Sequence, residues 1–217
     1  MRVVADSLPL MQVRFWVDPI CPWCWLTSRW ILDVAPHRGL DITWMPISLF
    51  VKNGLADQPD SPFYEAAKHT HGLLRVMESV RAAEGDAPLG ALYTAMGEHI
   101  HHNRNRAVEA ATVLAEVGLP VSHAAAYDDP SFDAAIAASM DEGLGLTGTD
   151  VGTPIIAFPN ASGVTTAFFG PVISRRLPTA QALDLWDGMM LMGRVDSFWE
   201  LKRTRTENPD FTPVADA

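Results

Sequence analysis

Cys21-Pro22-Trp23-Cys24, set between a strand-like and a helix-like stretch, constrains this chain more than any other feature. Before it, Val13, Phe15 and Val17 alternate with Arg14, Trp16 and Asp18, the two-residue period of a strand. Asp18-Pro19 stops that strand. After it, Trp25, Leu26, Ile31 and Leu32 give an apolar helical face, which Pro36 and Gly39 close. Ile42 to Phe50 reads as a second strand, and Pro46 restricts it to a sheet edge or a strand end. Strand, helix, strand at this spacing is a βαβ unit, with both cysteines at the start of its helix.

That position has chemical consequences. Pro22 suits the first helical position, which makes Cys21 the N-cap residue. Its sulfur then lies near the free N–H groups of Trp23 and Cys24, at the positive end of the helix dipole. Both effects favour thiolate, so the Cys21 pKa is expected below the free-thiol value of about 8.5. Cys24, one turn further in, shares that helix face. The pattern predicts an asymmetric pair in which Cys21 attacks and Cys24 resolves the mixed disulfide. Two other readings compete. A zinc site needs two further ligands, and the dense candidates, His99, His101 and His102, lack the spacing of a second zinc half-site. A pair of inert core cysteines fits the strand–CxxC–helix context less well. The same histidines read as a solvated helix end.

Composition narrows the classes. A chain of 217 residues, 48% hydrophobic and 19% charged, can bury a sizeable core as one large domain or a small domain with an insertion. A net charge of −10, with sixteen dispersed basic residues, argues against a nucleic-acid partner. No segment approaches the roughly 18 apolar residues of a membrane span. Met1 to Gln12 lacks the layout of a secretory signal, so a cytoplasmic location is expected. In a reducing compartment a CxxC reads as catalytic or metal-binding, and two cysteines cannot build a disulfide framework.

Residues 61–146 are rich in Ala, Leu, Met and Glu and predict four or five short helices. Ile155 to Phe158, a turn at Pro159 to Gly163, and Val164 to Phe169 predict a hairpin. A helix follows from about Thr179 to Met192, with an amphipathic extension through Phe198, Trp199 and Leu201. Thr206 to Ala217 reads as a loose tail. Trp16, Trp25, Trp30 and Trp44 fall at core spacing, and Arg175-Arg176 reads as a surface pair. Thr153-Pro154 precedes the hairpin, where a proline ordinarily marks a strand boundary.

The order βαβ, helical insertion, ββα, with Thr153-Pro154 before the returning strand, resembles the DsbA-like proteins of the thioredoxin-like α/β fold. CPWC resembles their cytosolic FrnE-like branch. Trp16-Val17-Asp18-Pro19, Cys21 to Trp25, Thr27 to Leu32, Leu92 to Gly97, Asp150 to Pro154, Phe168 to Pro171 and Glu200 to Glu207 resemble the actinobacterial mycothiol-dependent nitroreductase family. The resemblance implies a split thioredoxin-like domain (11–60 and 147–205) around an all-helical insertion domain (61–146). It implies a cis Thr153–Pro154 peptide facing the cysteines, with the backbone of Thr153 pairing with substrate. It also implies a dithiol/disulfide enzyme reduced by mycothiol, with a mycoredoxin behind it and no flavin; on ligand spacing no metal is expected, and the sequence leaves monomer or homodimer open. A disulfide or a nitro-bearing small molecule would accept the electrons. Pro22 and Trp23 support the site. Trp23, standing where the oxidising DsbA type has His, offers a flat face to an aromatic substrate. It places the potential nearer the reducing end of the range from about −270 to −120 mV. Asn53 and Tyr64 fall at pocket positions of that family; they also read as a turn Asn before Gly54 and a helix-start aromatic. Two other classes share parts of the pattern. One is a FrnE-like oxidoreductase or isomerase acting on polypeptides. The other is a kappa-type glutathione transferase relative, which carries Ser first and lacks the second cysteine.

Overall fold

The computed structural model describes residues 10–160 and 162–213. The N-terminal residues to Pro9, Ala161 in the hairpin turn and the last four residues of the expected tail lie outside the described residues. β1 (Met11–Val17), α1 (Pro22–Arg38) and β2 (Leu40–Pro46) make the βαβ unit. β1 and β2 run parallel, from Met11 opposite Leu40 to Val17 opposite Pro46. β3 (Ile155–Pro159) returns antiparallel on the other side of β1, and β4 (Thr165–Phe169) pairs with β3, so the sheet order is β2-β1-β3-β4. β2 is therefore both an edge strand and a strand that stops at Pro46, the two places a proline is tolerated.

Successive strand residues face opposite sides of the sheet. On the Phe15 and Phe158 side lies α7 (Thr179–Met192), whose Trp186 packs on Phe158 and on Trp30 of α1. The Trp30 indole N–H donates to the Ala182 carbonyl at 2.9 Å, fixing α1 to α7. On the Trp16 side lies α6 (Asp133–Thr147): the Trp16 indole donates to the Ser139 carbonyl at 2.7 Å, and the Ser139 hydroxyl donates to the Pro46 carbonyl at 2.8 Å. β1 is covered on both faces, so Val13, Phe15, Trp16 and Val17 are all buried. The four tryptophans expected in the core are there.

The segment between the two halves of the sheet folds as α2 (Leu49–Lys52), α3 (Tyr64–Glu84), α4 (Leu89–Gly97), α5 (Ala110–Glu116) and α6, with a single π-helical turn at Glu98–His102. α3 has 21 residues, so these helices are not uniformly short.

Several boundaries differ from expectation. Phe50 belongs to α2, because Ser48 caps that helix by accepting the Val51 N–H at 3.3 Å. Pro36 sits inside the last turn of α1; Gly39, at φ 61, ends the helix and returns its N–H to the Ala35 carbonyl. Leu32 is exposed, so the buried face of α1 runs through Trp25, Leu26, Trp30, Ile31 and Val34. No helix extends through Trp199, which is 83% exposed. The segment expected as a loose tail is anchored as far as Phe211. Glu207 accepts from Ser174 and Arg175, the Asp210 N–H donates to the Ser174 carbonyl at 2.7 Å, and Phe211 packs on His101 and His102. Among the described residues no helix is long and apolar enough to cross a membrane.

Candidate active site

Cys21 caps α1 with β-region backbone (φ −77, ψ 110), Pro22 occupies the first turn, and the Cys21 sulfur accepts the Cys24 N–H at 3.4 Å. Both thiols are free; Cys21 is 6% exposed and Cys24 fully buried. Thr153 meets them from the segment before β3, through a cis Thr153–Pro154 peptide. The Cys21 thiol donates to the Thr153 carbonyl at 3.6 Å, and the Thr153 hydroxyl lies 3.3 Å from the Cys24 sulfur and 2.7 Å from the Trp16 carbonyl. The far end of β1, the start of α1 and the start of β3 thus converge on two sulfurs. Thr27 reinforces the junction by donating to the Pro171 carbonyl at 2.7 Å.

The electrostatics correct one expectation. Burial pushes the Cys21 thiol up rather than down; the neighbouring Cys24 adds to the rise, and the N–H groups of Cys24 and Trp23 oppose it. Sequence spacing registers the donors of the helix start but not the loss of water around the sulfur. Burial also raises Cys24, to about 11, with the nearby hydroxyls of Thr153 and Tyr93 opposing the rise.

Asp18 is a second buried ionisable group beside the pair. Its carboxylate accepts the Leu49 N–H at 2.7 Å and the Ile20 N–H at 3.0 Å, joining the loop before Cys21 to the start of α2. Burial nevertheless raises its pKa to about 6. The sequence shows this residue only as the end of a strand. An Asp followed by Pro, whose side chain can accept N–H groups two residues on, is the signal that was available.

Two of the histidines after α4 pack on Trp25 of α1: His101 is half-buried there, while His102 stays exposed as expected. Gly97 makes this possible: a β-carbon there would stand 2.1 Å from the Trp25 ring. His101 stacks on Trp25 at 5.6 Å and donates from Nε2 to the Pro19 carbonyl at 2.8 Å, while His102 Nε2 accepts the Trp25 indole N–H at 3.2 Å. Burial lowers the His101 pKa to about 4, so it is neutral at pH 7. His99 instead bonds Glu116 at 2.9 Å. Among the described residues no group of three or more His, Cys, Asp or Glu is placed to hold a metal ion. Arg29 lies over the same Trp25 ring, with its guanidinium carbon 4.0 Å from the ring centre. Arg205, from the C-terminal segment, lies 4.8 Å over Trp23, the half-buried ring between the cysteines.

Asn53 and Tyr64 are not joined to the sulfurs by any described contact. Asn53 ends α2, exposed, with its carbonyl accepting from Gln58; Tyr64 opens α3, with its ring on Phe50 at 5.6 Å. Arg175 and Arg176 are each ion-paired, with Glu207 and Asp33 respectively.

Comparison with known proteins agrees with this geometry. The fold is that of a DsbA-like oxidoreductase. A probable DsbA oxidoreductase, SCO1869, of Streptomyces coelicolor superposes with a TM-score of 0.55 at 18% identity, covering 90% of this chain and 94% of its own. The cytosolic disulfide reductase DsbM of Pseudomonas aeruginosa gives 0.53 at 16% identity, covering 83% and 97%. In sequence, the uncharacterized protein Rv2286c of Mycobacterium tuberculosis is 27% identical over 201 residues, 91% of this chain and 84% of that protein. Residues 20–203, the span from the turn before Cys21 to the segment that reaches Trp23, match the Rv2466c-like family, described as mycothiol-dependent nitroreductase Rv2466c. This chain, an oxidoreductase of thioredoxin-like fold, belongs to the Rv2466c-like mycothiol-dependent nitroreductase family.

Proposed function

We propose that the protein cycles Cys21 and Cys24 between dithiol and disulfide, takes its reducing equivalents from mycothiol, and passes two electrons to a small disulfide or nitro-bearing acceptor. The observation that carries this reading is the asymmetry of the pair. Cys21 stands at the helix start, opposite the Thr153 carbonyl, whereas Cys24 is sealed behind it. Cys21 as thiolate attacks a disulfide sulfur and expels one thiolate. Cys24 then attacks Cys21, expels the second and closes the Cys21–Cys24 bond. Two mycothiol thiols return the pair to the dithiol and leave as mycothiol disulfide, which a mycoredoxin can recycle. With a nitro group, the same two electrons and two protons yield the nitroso compound and water. Thr153 and Pro154 hold the far wall, and Pro22 sets the helix start. Trp23, with Arg205 lying over its ring, stacks an aromatic acceptor. A reducing, cytoplasmic setting follows from mycothiol as reductant.

Cys21→Ser should abolish turnover, and Cys24→Ser should accumulate a mixed disulfide with mycothiol, read by intact mass. A Cys24→Ser protein that stays unmodified after mycothiol disulfide treatment refutes the cycle. Reduction of a nitroaromatic dye should proceed faster with mycothiol than with glutathione, and faster than insulin reduction. Preference for insulin would assign the polypeptide-directed, FrnE-like activity instead. Asn53 and Tyr64 are proposed to contact the acceptor. The Asn53 side-chain amide makes no hydrogen bond among the described residues, and Tyr64 is half-buried against Phe50 of α2. Asn53→Ala and Tyr64→Phe should each raise KM for the dye several-fold, about 1 kcal/mol, with thermal stability unchanged. Unaltered KM values remove both from the binding site.

A further inference from the structure

Tyr93 is fully buried on α4, in the insertion, and its hydroxyl lies 3.7 Å from the Cys24 sulfur. Its ring is fixed from both sides, stacked on Trp44 at 5.3 Å and tilted against Trp25 at 6.0 Å. Two hydroxyls therefore approach Cys24, but they are not equivalent. The Thr153 hydroxyl has one proton, and the Trp16 carbonyl at 2.7 Å is the better acceptor for it than the sulfur at 3.3 Å. The Tyr93 hydroxyl donates to the sulfur, and its other hydrogen-bond neighbour, Ser28, approaches it as a donor. Burial raises the pKa of the phenol well above its ordinary value, which keeps it a donor over the whole working range. Nothing in the mechanism above uses this group, although Leu92 to Gly97 is one of the blocks that stand out in the sequence.

We infer that Tyr93 is a further catalytic residue: its hydroxyl, delivered by the helical insertion, donates to the Cys24 sulfur and stabilises it as the thiolate that resolves the mixed disulfide on Cys21. The inference rests on Cys21 attacking and Cys24 resolving. In the step concerned, the Cys24 thiol gives up its proton to solvent and its thiolate attacks the Cys21 sulfur of Cys21–S–S–R. The bond between Cys21 and R breaks, the Cys21–Cys24 bond forms, and R leaves as a thiolate that takes up a proton from solvent. Tyr93 keeps its own proton throughout. A hydrogen bond to the charged form of an acid favours that form, so losing it moves the titration to higher pH. Helices outside the thioredoxin-like half thereby reach the sulfur that no substrate touches.

The test uses Tyr93→Phe, which keeps the ring between Trp44 and Trp25 and removes only the oxygen. The reduced full-length protein is mixed with excess of a symmetric aromatic disulfide whose thiolate product is coloured. The first equivalent released reports attack by Cys21, the second resolution by Cys24. In Tyr93→Phe the first phase should keep its rate within about twofold. The second should slow about tenfold from pH 7 to pH 10, because the Cys24 titration, already raised to about 11, moves about one pH unit higher. An unchanged second phase, or both phases slowed equally at every pH, overturns the inference; the latter is what a packing role alone produces. Cys24→Ser should release only the first equivalent and Cys21→Ser neither. If those two variants fail, the attack–resolve cycle itself falls and the role of Tyr93 with it. If they behave and Tyr93→Phe does not, only the role of Tyr93 falls.

Discussion

Asp18 shows how a single residue can be placed by geometry and taxed by burial. Its carboxylate holds two backbone N–H groups, one in the loop that leads to Cys21 and one at the start of α2. Burial outweighs those bonds and raises its pKa from 3.8 to about 6. The sign follows from linkage. The folded state binds the proton more tightly than the unfolded chain, so the stabilisation is fully present below 3.8 and is lost as pH rises through about 6. Measured by denaturant unfolding, wild type relative to Asp18→Asn should lose on the order of 3 kcal/mol between pH 4 and pH 7. A difference that does not vary with pH would show that Asp18 is not buried in its charged form. His101 runs the other way: its pKa of about 4 lies below the ordinary 6.5, so its contribution is present above 6.5 and lost as pH falls through 4. Both proteins contain His101, so it cancels in the comparison.

Among the elements, α4 and the π-turn after it do more than fill the insertion. Gly97 lets the Trp25 ring sit where a side chain would otherwise be, and the turn then aims His101 and His102 at α1. Gly97→Ala forces a methyl group into a rigid indole and should cost about 3 kcal/mol, read as a fall in unfolding free energy. A loss below about 0.5 kcal/mol would mean the turn can yield, because that is the scale of an ordinary surface change. The sequence foretells α1, β1, β3, β4 and α7 well, since period, Pro22 and Gly39 act locally. It foretells the CxxC position for the same reason. It does not foretell that Trp16 is covered by α6, because β1 still alternates and only the fold brings Ser139 and Gly143 to that face. Nor does it foretell the high Cys21 pKa, the histidine contacts or Tyr93 at Cys24. Each of these depends on residues at least 17 positions apart or on exclusion of water, neither of which leaves a short-range pattern.

At the scale of the whole molecule, the C-terminal segment ties the two parts of the chain together. Glu207 is held by Ser174 and Arg175, and Phe211 rests on the histidines of the insertion. Exposed ion pairs contribute little, so Phe211 and the Asp210 backbone bond carry most of the attachment. Removing everything after Thr206 should cost about 2 kcal/mol and lower Tm by about 6 °C. An unchanged Tm would show that the attachment adds nothing to folding. The central strand has a different dependence. β1 takes β2 on one side from the same βαβ unit, but its other side is filled by β3, from beyond the insertion. On a growing chain the two cysteines therefore emerge long before Thr153, the residue that will face them, has been made. Until β3 arrives, the nascent thiols lack their far wall and stand open to any oxidant. The redox pair is the first chemistry the ribosome delivers here and among the last to be enclosed.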